Sequence, residues 1–120
     1  MLFKQSIKIL KIFLLFCSLI KFLACSIDNI SNLTLECEKG KMTACNDLAT
    51  AKFKKNKISE ALELYRKACE ENNLNSCTNL GILEYKAGNS TYAKEIFTKA
   101  CELGNTDSCN NMKRITNPGK

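Results

Sequence analysis

Six cysteines carry the only regularly spaced chemistry in this chain of 120 residues. Cys37 and Cys45, Cys69 and Cys77, and Cys101 and Cys109 stand eight positions apart, and the pairs recur every 32 residues. Thiols in such sets either oxidise to disulfides or bind a soft metal. Zinc sites favour ligands two to four residues apart and commonly include histidine, and the sequence contains no histidine. An even number of cysteines at repeated spacing is the mark of a disulfide framework in an oxidising compartment. Six cysteines permit fifteen connectivities, and the repeat favours bridging within each pair. No metal and no cofactor is expected.

Other chemistry is scarce. Without histidine there is no Ser–His or Cys–His nucleophile pair and no imidazole base. Thr91 and Lys94 have a nucleophile–lysine spacing, but Thr91 is better suited to capping a helix. Ser18 and Lys21 share that spacing inside the apolar N-terminal stretch.

The elements that position the cysteines follow from geometry. On one continuous helix, residues eight apart lie about 12 Å from each other at about 1.5 Å per residue, whereas a disulfide needs about 4.4–6.8 Å between Cα atoms. A bridged pair therefore requires a turn between its members. Gly40, Asn72 and Gly104, three positions after each first cysteine, are the residue types that best tolerate the left-handed conformation ending a helix. Thr43, Asn75 and Asp107 then read as N-caps. Repeat 1 (37–68) carries Leu48, Ala49, Phe53, Ala61, Tyr65 and Ala68, and repeat 2 (69–100) carries Leu80, Gly81, Tyr85, Ala93, Phe97 and Ala100 at the same offsets. These positions form the apolar face of paired helices, with connections that end on Ser59 and Thr91 as caps. A period of this length marks a stacked helical array. Residues 101–120 add a half repeat and tail, with Met112 in the place of Leu48 and Leu80, and the stop at Asn117, Pro118 and Gly119.

The order Leu80, Gly81, Ala93, Phe97, Ala100 resembles the tetratricopeptide pattern. Lys-Ala-Cys at 67–69 and 99–101, with a second cysteine eight positions on, resembles the SEL-like repeats of the Helicobacter cysteine-rich protein family. The resemblance covers about residues 37–114. It departs from the family in its shorter period and in lacking the long glycine-rich loop. Lys52 and Glu84 stand where tetratricopeptide helices often carry an aromatic residue, and as opposite charges one repeat apart they could pair across the stack or reach solvent. The resemblance implies an all-α fold: a short α-solenoid of helix-turn-helix, SEL-like or tetratricopeptide-like repeats stapled by disulfides. Members of that family are described as penicillin-binding or weakly β-lactam-hydrolysing, so it also implies a β-lactam as an alternative ligand or substrate. No catalytic residue carries over by position, and the Ser-Asp-Asn and Lys-Thr-Gly companions of serine β-lactamases are absent.

Residues 1–24 read as a signal peptide. Lys4, Lys8 and Lys11 precede an uncharged run from Ile12 to Ile20, which is too short for a bilayer span of about 20 residues but suits a signal core. Phe22-Leu23-Ala24-Cys25 resembles a bacterial lipobox, with Cys25 as the lipidated residue; the rival reading is ordinary cleavage near Ala24, Cys25 and Ser26. Residues 25–36 are a lead-in, with Leu33 and Leu35 on a partial helix ending at Cys37. The expected location is exported: periplasmic, secreted or an outer-membrane lipoprotein, touching a membrane only through the signal peptide or lipid. The formal charge is +6, but the four lysines of residues 1–24 leave 14 basic against 12 acidic residues, or +2. That balance excludes a nucleic-acid partner. The basic run from Lys52 to Lys57 falls at a helix end, where cations complement the helix dipole.

In tetratricopeptide-like arrays the first helix of each pair lines a groove. The face opposite the core there reads Asn46, Thr50, Lys54; Thr78, Ile82, Lys86; and Asn110, Arg114. This row suits an extended peptide, a protein segment or a peptidoglycan-like fragment bearing carboxylates. Because the core is small, each bridge closing a nine-residue loop is expected to add about 2–3 kcal/mol, and three together match the whole stability of such a domain. Reduction should therefore abolish the helical circular dichroism signal at room temperature or bring its melt close to it; an unchanged melting temperature after reduction would refute the expectation.

Overall fold

The computed structural model describes residues 1–119; Lys120, the end of the expected tail, and the side chain of Ser26, used by the second cleavage reading, lie outside the described residues. The described chain is all α: α1 (Leu2–Glu38), α2 (Met42–Lys54), α3 (Ile58–Glu70), α4 (Leu74–Lys86), α5 (Ser90–Glu102) and α6 (Thr106–Thr116). It divides into two units, Met1–Asn32 and Leu33–Lys120.

The first unit is helical. Its large apolar side chains, from Leu2 and Phe3 to Phe22 and Leu23, are exposed. Helix α1 is by length and composition apolar enough to cross a membrane, a test that a signal sequence near the N-terminus also passes. The helix runs unbroken through the expected lead-in to Glu38.

The second unit is a disulfide-stapled helical repeat. Helices α2 to α5 are each 13 residues long, and every connection from α1 to α6 is three residues. All five connections share one hydrogen-bonding scheme. The middle residue has positive φ: Gly40 (88°), Asn56 (59°), Asn72 (62°), Gly88 (92°) and Gly104 (96°). Its N–H bonds the carbonyl three residues back, and the next N–H bonds the carbonyl five back, as in Lys41 to Glu36 (3.0 Å) and Asn105 to Ala100 (2.9 Å). This is the Schellman closure. The same residue then opens the next helix, its carbonyl accepting from four residues on: Lys41 from Cys45, Lys57 from Ala61, Asn73 from Cys77, Asn89 from Ala93 and Asn105 from Cys109.

The caps therefore stand two residues before the expected ones. The N-caps are Lys41, Lys57, Asn73, Asn89 and Asn105, and Thr43, Ser59, Asn75, Thr91 and Asp107 are already inside their helices. Only the N-cap itself stands between the left-handed position and the first residue of the new helix. Asn73 and Asn105 also accept a side-chain bond, from the Ser76 and Ser108 N–H groups at 3.0 and 2.7 Å.

From α2 onward each helix packs on the next, and α4 also meets α6. The core holds Leu48, Ala49, Ala61, Tyr65, Ala68, Leu80, Ala93, Phe97 and Ala100, together with Ile96 and three of the cysteines. Phe53 and Tyr85 differ from expectation: they are 38% and 45% exposed. Each lies one turn beyond the buried Ala49 or Gly81 and next to the last residue of its helix, so the ring falls past the final core layer. Lys52 and Glu84 do not pair either, because each has a nearer partner. Lys52 reaches Glu60 on α3 at 2.7 Å. Glu84, 6% exposed, accepts from Arg66 at 3.2 Å and Asn89 at 2.7 Å. Hydrogen bonds from Lys52 and Lys57 hold the Glu60 carboxyl below its usual range, so part of the basic run is neutralised locally.

Helices α4 and α5 come close at one point. A Cβ on Gly81 would lie 2.6 Å from Cε1 of Phe97, whose ring is 1% exposed. Gly81→Ala gains about 1 kcal/mol of helix propensity but overpacks the ring at a cost of about 1–3 kcal/mol. We expect G81A to melt several degrees lower, with Phe97→Leu in the same chain recovering part of the loss; a melt equal to or above the parent would show that the ring yields freely.

Candidate functional site

The six repeat cysteines form three disulfides, Cys37–Cys45, Cys69–Cys77 and Cys101–Cys109, with Cα separations of 4.6, 4.6 and 4.7 Å. Each bridge joins the last residue but one of a helix to the fourth residue of the next, spanning a corner. Cys25 is a free, exposed thiol, and Cys17 is also unbridged. Three disulfides suggest an oxidising, extracellular compartment, and the apolar N-terminal helix fits a signal sequence.

The row expected along the first helices splits into two parts with different roles. Asn46, half-buried, and Thr78, buried, join successive first helices. Asn46 Oδ1 accepts from Ser76 Oγ at 3.0 Å and from Asn79 Nδ2 at 3.2 Å. One repeat later Thr78 Oγ1 hydrogen-bonds the Ser108 hydroxyl at 2.8 Å and donates to Asn105 Oδ1 at 3.1 Å. Ser76 and Ser108 are fully buried, where an unpartnered hydroxyl would be costly, and these joints satisfy them. Among the described residues, no buried side-chain nitrogen or oxygen lacks a partner.

The other part is a groove over the C-terminal halves of α2, α4 and α6. Two adjoining depressions share Ile82 and Lys86. The first, about 270 Å³, lies between α2 and α4 and takes in Thr50, Phe53, Tyr65 and Asn79. The second, about 330 Å³, lies between α4 and α6 and takes in Tyr85, Phe97, Asn111, Arg114 and Ile115. Thr50 is tied down, donating to the Asn46 carbonyl at 3.0 Å and bonding the Tyr65 hydroxyl at 2.9 Å. Lys54 and Asn110 are exposed but stand outside the lining of both depressions. The expected polar row is thus an apolar floor edged by Lys86 and Arg114. Phe53, Tyr85 and Ile115 were absent from the sequence-based groove. The signal for the two aromatics is their distance from the helix end, because a face pattern alone assigns them to the core.

Among the described residues, neither depression has an acidic group in its lining. A third depression, bordered by α3 and α5, is mixed in charge: Arg66 and Lys99 stand with Glu70 and Glu95. There the Tyr92 hydroxyl, with the Glu84 carboxylate beside it, holds the Arg66 guanidinium above its ordinary range.

Thr91 and Lys94 both border a shallow depression shared with Glu95 and Glu102. Among the described residues no hydrogen bond joins them, and the Lys94 carbonyl instead accepts from Thr98 at 2.8 Å. No protein-family model matches the chain, and no curated protein matches it.

Joint and groove residues should respond oppositely to truncation. Thr78→Ala strips the partner from buried Ser108 and should cost about 1–3 kcal/mol, whereas exposed Lys86→Ala should stay within about 0.5 kcal/mol. Chemical denaturation of both variants checks this, and equal losses would contradict the division.

Proposed function

We propose that this chain is an exported binding scaffold whose groove over α2, α4 and α6 holds an extended peptide or a cell-wall fragment. The observation that carries the reading is the pairing of two exposed aromatic side chains, Phe53 and Tyr85, and the half-buried Ile82 with cations and no acid. Exposed rings in a concavity offer large contact area at little conformational cost, and convergent polar groups at the edge give orientation. Rigidity suits the same role: the disulfides fix the helix corners, so little ordering is required on binding.

Export rests on the N-terminal apolar helix acting as a signal peptide over residues 1–24, with Cys25 as the lipid attachment point in the lipobox-like Phe22-Leu23-Ala24-Cys25. The repeat pattern is in keeping with membership of the SEL-like Helicobacter cysteine-rich family.

The test presents the oxidised chain with a random-peptide display library, soluble peptidoglycan fragments and a chromogenic cephalosporin. Saturable binding of one of the first two, abolished by Ile82→Asp, with no cephalosporin turnover, is the expected result. Steady turnover by a chain that binds neither would replace the scaffold with a β-lactam hydrolase.

A further inference from the structure

Resting on that groove, we infer that its occupant is an acidic, extended peptide segment with two apolar side chains three residues apart and carboxylates beside the second. The two depressions lie on either side of α4. Packed helices stand about 8–10 Å apart, and successive first helices set the interval between the depressions. A chain in the extended polyproline-II conformation rises about 3.1 Å per residue with three residues per turn, so two side chains three residues apart share a face and cover one interval. The first depression is neutral apart from the shared Lys86. The second adds Arg114, whose planar fork suits a carboxylate. Cations and apolar floor are therefore unequally distributed, which gives the groove a direction: the apolar anchor over Phe53 comes first and the acidic end lies over α6. At about 270 and 330 Å³, each depression is at the small end of ligand pockets and takes one side chain. The acid-free lining sets the charge of the partner, because a like-charged occupant would meet Lys86 and Arg114 with nothing to offset them.

The probe is a fluorescein-labelled peptide with two phenylalanines three positions apart followed by two glutamates, titrated by anisotropy into the oxidised full-length chain. Two companion peptides place the phenylalanines side by side or replace the glutamates with lysines. We expect the first peptide to bind about tenfold more tightly than either companion. The Lys86→Glu, Arg114→Glu chain should reverse the preference between glutamate and lysine peptides. Both substitutions are on exposed side chains, and the reversed preference is itself a control for folding. Binding that ignores spacing and charge, or binding of peptidoglycan fragments with none of the peptides, would overturn the inference while leaving the groove in use. Failure of peptides and fragments alike would overturn the groove reading with it.

Discussion

A helix of 13 residues is marginal in water on its own, so each element here depends on the corner that folds it against its neighbour. At every corner one residue does two jobs, closing the preceding helix through its N–H and opening the next through its carbonyl. That economy fixes the connection at three residues and the helix spacing at 16, half the 32-residue repeat. It also places the last residue but one of one helix against the fourth residue of the next. At three corners those positions are cysteines at a Cα separation of 4.6–4.7 Å, and a bridge closes them.

The alternate corners carry Phe53 with Ala61, and Tyr85 with Ala93, at the equivalent positions. Without a bridge, the larger side chain is left half on the surface. The two kinds of corner differ in what they contribute: cysteine corners are bridged, and aromatic corners place Phe53 and Tyr85 in the lining of the two depressions. The small residues Ala49 and Gly81, one turn earlier, let the second helix of each pair approach, with Phe97 seated against Gly81. Buried polar joints from Asn46 to Ser76 and from Thr78 to Ser108 then set successive first helices side by side, which aligns the two depressions.

Much of this was legible in the residues. The cysteine spacing demanded a turn, and Gly40, Asn72 and Gly104 marked where the chain takes the left-handed conformation. The repeated alanine and aromatic offsets identified the helical core from Leu48 to Ala100. The caps were misplaced by two residues because Thr43 and Asp107 are good capping types, whereas the corner geometry selects a position, even one held by Lys41 or Lys57. Phe53 and Tyr85 were misread because periodicity gives a face and not where the helix stops. The division of Asn46 and Thr78 from Ile82 and Lys86 depends on partners about 30 residues away, and no local pattern carries that information.

Each bridge spans its own corner. Digestion of the unreduced protein with a glutamyl endopeptidase, followed by mass spectrometry, tests it directly, since Glu38, Glu70 and Glu102 lie inside the three loops. The account predicts three fragment pairs, each held by one disulfide: Cys37 with Cys45, Cys69 with Cys77 and Cys101 with Cys109. A fragment pair linking cysteines of different repeats would contradict it.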